Sequence, residues 1–163
     1  MPGAGEAREQ PSPPSAGRGR GEGGHHRVVL DTNVLVSLFV FADSRLVLLR
    51  QRLEAGEWRA LTSEACLGEF KRVLAYPQFG LDEEAQASAL KAYEGLAERV
   101  TELPAPRQPL PECQDRDDQK FLELARDGGA ECLVTSDKAL LKLARRGRLA
   151  KLFRILPPEA ALG

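Results

Sequence analysis

Histidine and cysteine are scarce in this chain, and their scarcity narrows its chemistry before any motif is read. The only histidines, His25 and His26, lie together in a Gly-rich lead-in, so histidine-based catalysis has almost nothing to work with. The three cysteines, Cys66, Cys113 and Cys132, are an odd number without close pairing; neither a disulfide framework nor a zinc site is expected. A long apolar run is also lacking. Val34 to Ala42 is apolar apart from Ser37, far short of the roughly twenty residues that span a bilayer. The first apolar run comes only after residue 27, so no secretion signal is expected, and the expectation is a cytoplasmic protein with no membrane partner. A formal net charge of −1 supplies no global field toward nucleic acid, and any such binding must come from a local patch.

What is present suits one domain with a real core: 163 residues, 42% hydrophobic and 29% charged. Residues 1–26 are rich in Pro, Gly, Ser, Ala and Arg without periodic apolar positions. Such a segment cannot offset the entropy of being ordered, and it is expected to be a disordered tail. The domain is expected over residues 27–157, followed by a C-terminal tail at 158–163.

The run Val28-Val29-Leu30 predicts a strand covered on both faces, the kind found in parallel sheets flanked by helices. It delivers Asp31 to its carboxyl end, where ligands bind in open α/β sheets. Asp31 or Thr32 could instead simply cap the helix predicted from Asn33 to Phe39. Further helices are predicted from Ser44 to Leu53, from Thr62 or Ser63 to about Ala75, and from Leu81 to Arg99. A strand is predicted at Trp58 to Leu61 and an extended piece around Val100 to Leu103, before the stiff connection made by Pro104, Pro106, Pro109 and Pro111. A helix starting near Asp115 buries Phe121, Leu122 and Ala125; a strand over Glu131 to Thr135 and a helix from Lys138 to Arg145 follow. Leu152 to Leu156 makes the last strand.

Four places put carboxylates where the core or a strand end would be. Asp137 repeats the pattern of Asp31: strand, acid, helix. Asp118 falls between Leu122 and Ala125 on the buried side of its helix, with Asp115 three residues ahead as cap. Glu69 borders the stripe Cys66, Leu67, Phe70, Val73 and Leu74, unless it pairs at the surface with Arg72 or Lys71. If the two strands are neighbours these acids converge, and carboxylates about 5 Å apart repel by roughly 0.8 kcal/mol per pair even at the dielectric of water. Either some stay protonated or a divalent cation sits among them. All-oxygen donors favour Mg²⁺ or Mn²⁺. Between residues 138 and 154 lie seven basic residues and no acid: Lys138, Lys142, Arg145, Arg146, Arg148, Lys151 and Arg154. That strip could grip a phosphate backbone. Together these features fit metal-assisted phosphodiester hydrolysis.

Val28-Val29-Leu30-Asp31-Thr32-Asn33-Val34-Leu35, then Ser63-Glu64-Ala65 through Glu69 to Val73-Leu74, then Asp115-Arg116-Asp117-Asp118 before Lys120-Phe121-Leu122-Glu123-Leu124-Ala125, then Leu133-Val134-Thr135-Ser136-Asp137-Lys138 resembles a PIN domain. The resemblance is nearest to the branch described as toxin components of toxin–antitoxin systems, related to VapC-like ribonucleases, and runs from about residue 27 to 157. It implies a three-layer α/β/α sandwich with a central, mostly parallel sheet and a ribonuclease site using one or two Mg²⁺ or Mn²⁺ ions. By motif position it implies Asp31, Glu69, Asp118 and Asp137 as catalytic and metal-binding acids, with Asp115 as an additional ligand or as an acid that supports the ligands from behind. Asn33 and Thr135 or Ser136 would then orient the carboxylates or water at the metal. It further implies an RNA substrate, a protein antitoxin and often a homodimer.

Two rivals have different consequences. An aspartyl phosphatase also ends its first strand in Asp and uses Mg²⁺, but it wants a second Asp two residues on, where this chain has Asn33. A PIN-like module that binds RNA or a protein without turnover would keep the fold and be indifferent to Asp31→Asn.

Overall fold

Three consecutive apolar residues can all be buried only if the strand they form is covered on both sides, and the computed structural model, which describes residues 26–101 and 108–162, shows that arrangement. β1 (His26–Leu30) is followed by α1 (Thr32–Phe39), a 3-10 turn at Ser44–Leu46, α2 (Val47–Glu54), β2 (Trp58–Thr62), α3 (Glu64–Leu74), α4 (Glu83–Glu94) and β3 (Ala97–Arg99). Then come a 3-10 turn at Arg116–Asp118, α5 (Gln119–Gly128), β4 (Cys132–Val134), α6 (Lys138–Lys142), α7 (Gly147–Ala150), β5 (Arg154–Leu156) and α8 (Pro158–Leu162). The strands form one five-stranded sheet in the order β3-β2-β1-β4-β5, and every pair is parallel.

The sheet divides the core in two. Val28, Leu30, Cys132 and Val134 face a layer formed by α1 to α4, where Leu35, Leu49, Phe70 and Tyr93 are fully buried. Val29, Leu61 and Leu133 face the other layer, with Phe121 and Leu122 of α5, Leu140 of α6 and Leu149 of α7. This is a three-layer α/β/α sandwich, and it accounts for the uninterrupted apolar reading of β1. α5 lies close against the sheet at its end: a Cβ on Gly128 would meet Leu61 Cδ1 at 2.7 Å. The Arg27 guanidinium seals that corner, donating to the Gly128 carbonyl at 2.9 and 3.1 Å and to Glu98 at 3.1 Å.

Strand order decides where the chemistry can sit. From β1 the chain steps outward through β2 to β3, then returns across the sheet to place β4 on the other side of β1. The switch point therefore lies between the carboxyl ends of β1 and β4, where a crevice opens in folds of this kind.

Several expectations need correcting. The predicted helix from Leu81 to Arg99 stops at Glu94, and Ala97–Arg99 is a strand. These are good helix formers, but β2 offers an unpaired edge, and pairing with it satisfies their backbone groups. The extended piece expected at Val100 to Leu103 thus lies three residues earlier, although the Val100 N–H still bonds the Thr62 carbonyl at 2.8 Å. His26, read as the last residue of the tail, is the first of β1 and pairs with Trp58. Pro158–Leu162, read as a tail, is the short helix α8, and its Ala161 packs against the first core layer. The disordered tail expected before His26, and Leu103, Pro104 and Pro106, fall outside the described residues. Among the described residues no single helix is long and apolar enough to cross a membrane.

Candidate active site

The sheet brings Asp31 and Asp137 to adjacent strand ends and sets them in different surroundings. The Asp31 N–H extends the β1–β4 ladder, donating to the Val134 carbonyl at 3.0 Å. Its side chain, on a residue only 5% exposed, turns away from the helix it precedes. Although Asp31 stands at the N-cap position of α1, its carboxylate makes no capping hydrogen bond there. It accepts instead from the Thr135 hydroxyl across the switch point, Oγ1 to Oδ2 at 2.6 Å. Burial holds the Asp31 carboxyl above its ordinary range, the Thr135 hydroxyl and the Thr32 N–H work against that, and the charges of Glu69 and Asp137 add to it. Asp137 does cap its helix: its Oδ1 accepts from the backbone N–H groups of Ala139 at 2.8 Å and Leu140 at 3.3 Å.

Thr135 joins the two. It is fully buried at the end of β4, its hydroxyl donating to Asp31 and accepting from the Asp137 N–H at 3.0 Å. With both bonds made, the hydroxyl sets the spacing of the two strand-end turns.

Asp118 and Asp115 arrive from the 3-10 turn that leads into α5. Asp115 is exposed and caps that turn, accepting from the Asp117 N–H at 3.0 Å. Asp118 is half-buried, and its carboxyl is pushed up to about 6, first by burial and then by the charges of Asp31, Asp137 and Asp115. Glu69, on the inner border of α3, is the fourth acid. Asp31 thus lies within electrostatic reach of Glu69, Asp137 and Asp118.

A cation that no motif marks sits beside Glu69 and within electrostatic reach of Asp118. Glu69 does not pair with Lys71 or Arg72; its carboxylate is held by the Lys120 ammonium, both side chains being mostly buried at 21% and 16% exposure. Lys120 also donates to the Asp117 carbonyl and lies 5.0 Å from the centre of the Phe121 ring. A signal was present in the sequence: a lysine in the first turn of a helix meets the positive end of the dipole, and it is out of place there without a partner.

Two clefts open at this end of the sheet, and neither is lined by Asp31, Glu69, Asp118 or Asp137 themselves. One, of about 470 Å³, runs from Lys120 past Ser63, Arg99, Thr101 and Glu123. The other, of about 420 Å³, is lined by Asn33, Ser136 and Arg45 among others; both Asn33 and Ser136 are exposed. Of the basic strip, Lys138, Lys142, Arg145, Arg146, Lys151 and Arg154 are exposed. Lys138 directly follows Asp137, while Arg146 lines a separate cleft of about 300 Å³ with Pro109, Leu110 and Pro111. The side chain of Arg148 lies outside the described set.

The profile of the PIN domain family matches residues 27–139, which takes in all four acidic positions. The chain belongs to the PIN domain family. PIN domains are generally nucleases, hydrolases that act on nucleic acids. No curated protein sequence matches this PIN domain closely enough to count as a relative.

The donor set fits the divalent metals typical of PIN domains in kind, being all oxygen. Two buried thiols lie within electrostatic reach of these acids, Cys66 beside Glu69 and Asp31 and Cys113 beside Asp118, Asp115 and Asp137, and burial pushes each up to about 11. In position the fit is incomplete: among the described residues no three His, Cys, Asp or Glu side chains are gathered closely enough to hold an ion. The Glu69 carboxylate is turned to Lys120 and one Asp137 oxygen to its helix.

Proposed function

We propose that this PIN domain is a metal-dependent endoribonuclease that hydrolyses RNA phosphodiester bonds at Asp31, Glu69, Asp118 and Asp137. The observation that carries the reading is the buried Asp31 carboxylate, spared from capping, at the switch point of a parallel sheet with three other acids in electrostatic reach. A buried charge of that kind is costly unless a cation or proton meets it. Mg²⁺ or Mn²⁺, as one or two ions, would be held by these four acids with Asp115 as a further ligand, and when bound supplies activation of a water and stabilisation of the leaving oxygen. Thr135 orients Asp31 through its hydroxyl. Asn33 and Ser136 border the cleft into which one side of the RNA would lead, and Lys138, Lys142, Arg145, Arg146 and Arg148 would grip its phosphates. Such contacts weaken steeply with salt.

The test is cleavage of mixed structured and single-stranded RNAs with Mn²⁺, Mg²⁺ or EDTA, alongside Asp31→Asn. Metal-dependent cutting that disappears in the variant supports the reading; equal cutting by both proteins refutes it. The likeness of the four motifs to toxin components supports a role as the toxin of a toxin–antitoxin pair, restrained in the cytoplasm by a protein antitoxin. Growth arrest on expression of the wild type but not of Asp31→Asn is the expected outcome. The absence of a ready-made ion-binding group among the described residues favours the alternative of a silent RNA- or protein-binding module. That reading predicts RNA binding unaffected by EDTA and no cleavage under any condition.

A further inference from the structure

We propose that Lys120 is the resident counter-ion of Glu69 in the metal-free protein, and that a divalent cation binds by taking Glu69 from it, so that Lys120 sets the metal affinity of the site. This rests on the metal-dependent reading above.

Four observations carry it. The Lys120 ammonium contacts Oε1 of Glu69, one of the four acids named for the ion in the proposed function. The pair is mostly buried, so solvent and salt screen it far less than a surface ion pair. Its surroundings include three more carboxylates in electrostatic contact with one another, Asp31, Asp118 and Asp137. A single positive charge there offsets only part of their repulsion, and a doubly charged ion offsets more. Lys120 otherwise stands at the unfavourable end of α5, held by the Asp117 carbonyl and the Phe121 ring face. These contacts would be odd for a solvated surface lysine, and they keep the ammonium beside Glu69.

The exchange also has somewhere to go. Lys120 lines the cleft of about 470 Å³ that contains Glu123, three residues further along the same helix. A flexible four-carbon stem lets a lysine swing its point charge without moving the backbone, and side chains three apart on a helix are neighbours. Displaced from Glu69, the ammonium can therefore turn into the cleft toward Glu123. Exchange of partners in this way frees Glu69 while keeping the lysine charge balanced, and it removes a positive charge from beside the incoming ion.

The experiment is Mn²⁺ binding to the full chain, followed by loss of the free-ion electron paramagnetic resonance signal, for wild type, Lys120→Met and Lys120→Arg without RNA. Lys120→Met is expected to bind Mn²⁺ about tenfold more tightly, the factor equal to about 1.4 kcal/mol, and Lys120→Arg to stay close to wild type. Thermal melting should show metal-free Lys120→Met less stable than wild type and raised further by Mn²⁺. Mn²⁺ binding to Lys120→Met that is equal to or weaker than wild type overturns the exchange while leaving the metal-dependent reading intact. Binding by neither protein overturns both. A second measurement reads the wild type directly: its Lys120 ammonium resonance, assigned by its loss in Lys120→Arg, should shift on adding Mg²⁺. A resonance unmoved at saturating Mg²⁺ also overturns the exchange.

Discussion

The turns that end β1 and β4 are written almost alike and are used differently. In each, a buried apolar strand runs into an aspartate that opens a helix. At β4 the acid does what its position suggests, and Asp137 caps α6 with two backbone bonds. At β1 the acid declines the cap, and Asp31 reaches across to Thr135. The difference lies in burial. Asp31 directly follows the central strand, which has a neighbour on each side, and the Thr135 hydroxyl just beyond β4 donates to it. Asp137 sits half-exposed one strand further out, with its own helix N–H groups in front of it. A shared local pattern therefore leaves one carboxylate engaged with its helix and another pointed at the crevice.

The largest expected effect sharpens that contrast. Asp31→Asn should lower RNA cleavage by about 10²–10⁴-fold in a gel assay, without lowering the melting temperature, because a neutral amide removes a buried charge and can still accept from Thr135. Asp137→Asn should also lose cleavage, and its helix should stay intact because Asn caps as well as Asp. Thr135→Val comes next. It keeps the shape but breaks the bonds to both acids, leaving a buried carboxylate and the Asp137 N–H unpartnered, at a cost of about 1–3 kcal/mol in chemical denaturation. Equal stability of Thr135→Val and wild type would show that the hydroxyl does not couple the turns.

Asp137→Ala, compared with Asp137→Asn, isolates the cap and should cost about 1 kcal/mol. The smallest effect is on pH dependence. Both Asp31 and Asp118 are held above the ordinary carboxylate value in the fold, Asp118 at about 6. Between the unfolded value near 4 and about 6 the native chain therefore binds more protons than the unfolded chain. In EDTA, stability should fall as pH rises through that window and level off above it. Asp31→Asn should flatten the slope, and Mn²⁺ should raise stability most above the window, where the acids are ionised. Melting curves at several pH values, with EDTA and with Mn²⁺, measure both.

The deviations from the sequence reading have one cause. Ala97 to Arg99 followed helical periodicity and became a strand because an open sheet edge outweighed local preference. Glu69 has Lys71 and Arg72 beside it on its own helix yet pairs with Lys120 on α5, a distance along the chain that periodicity cannot see. A short-range signal was dependable: Ser63, one of the two residues expected to open α3, caps it.

By itself the amino-acid sequence determined the alternation of strands and helices, the two-sided burial of β1 and the run of acids at strand and helix starts. Those properties depend on residue type and spacing over a few turns of chain. Tertiary structure alone decided that β4 lies beside β1, that Thr135 rather than a helix end holds Asp31, and that Lys120 faces Glu69. Each of these joins residues far apart in the chain, and their energies depend on burial and distance, which arise only once the sheet has assembled.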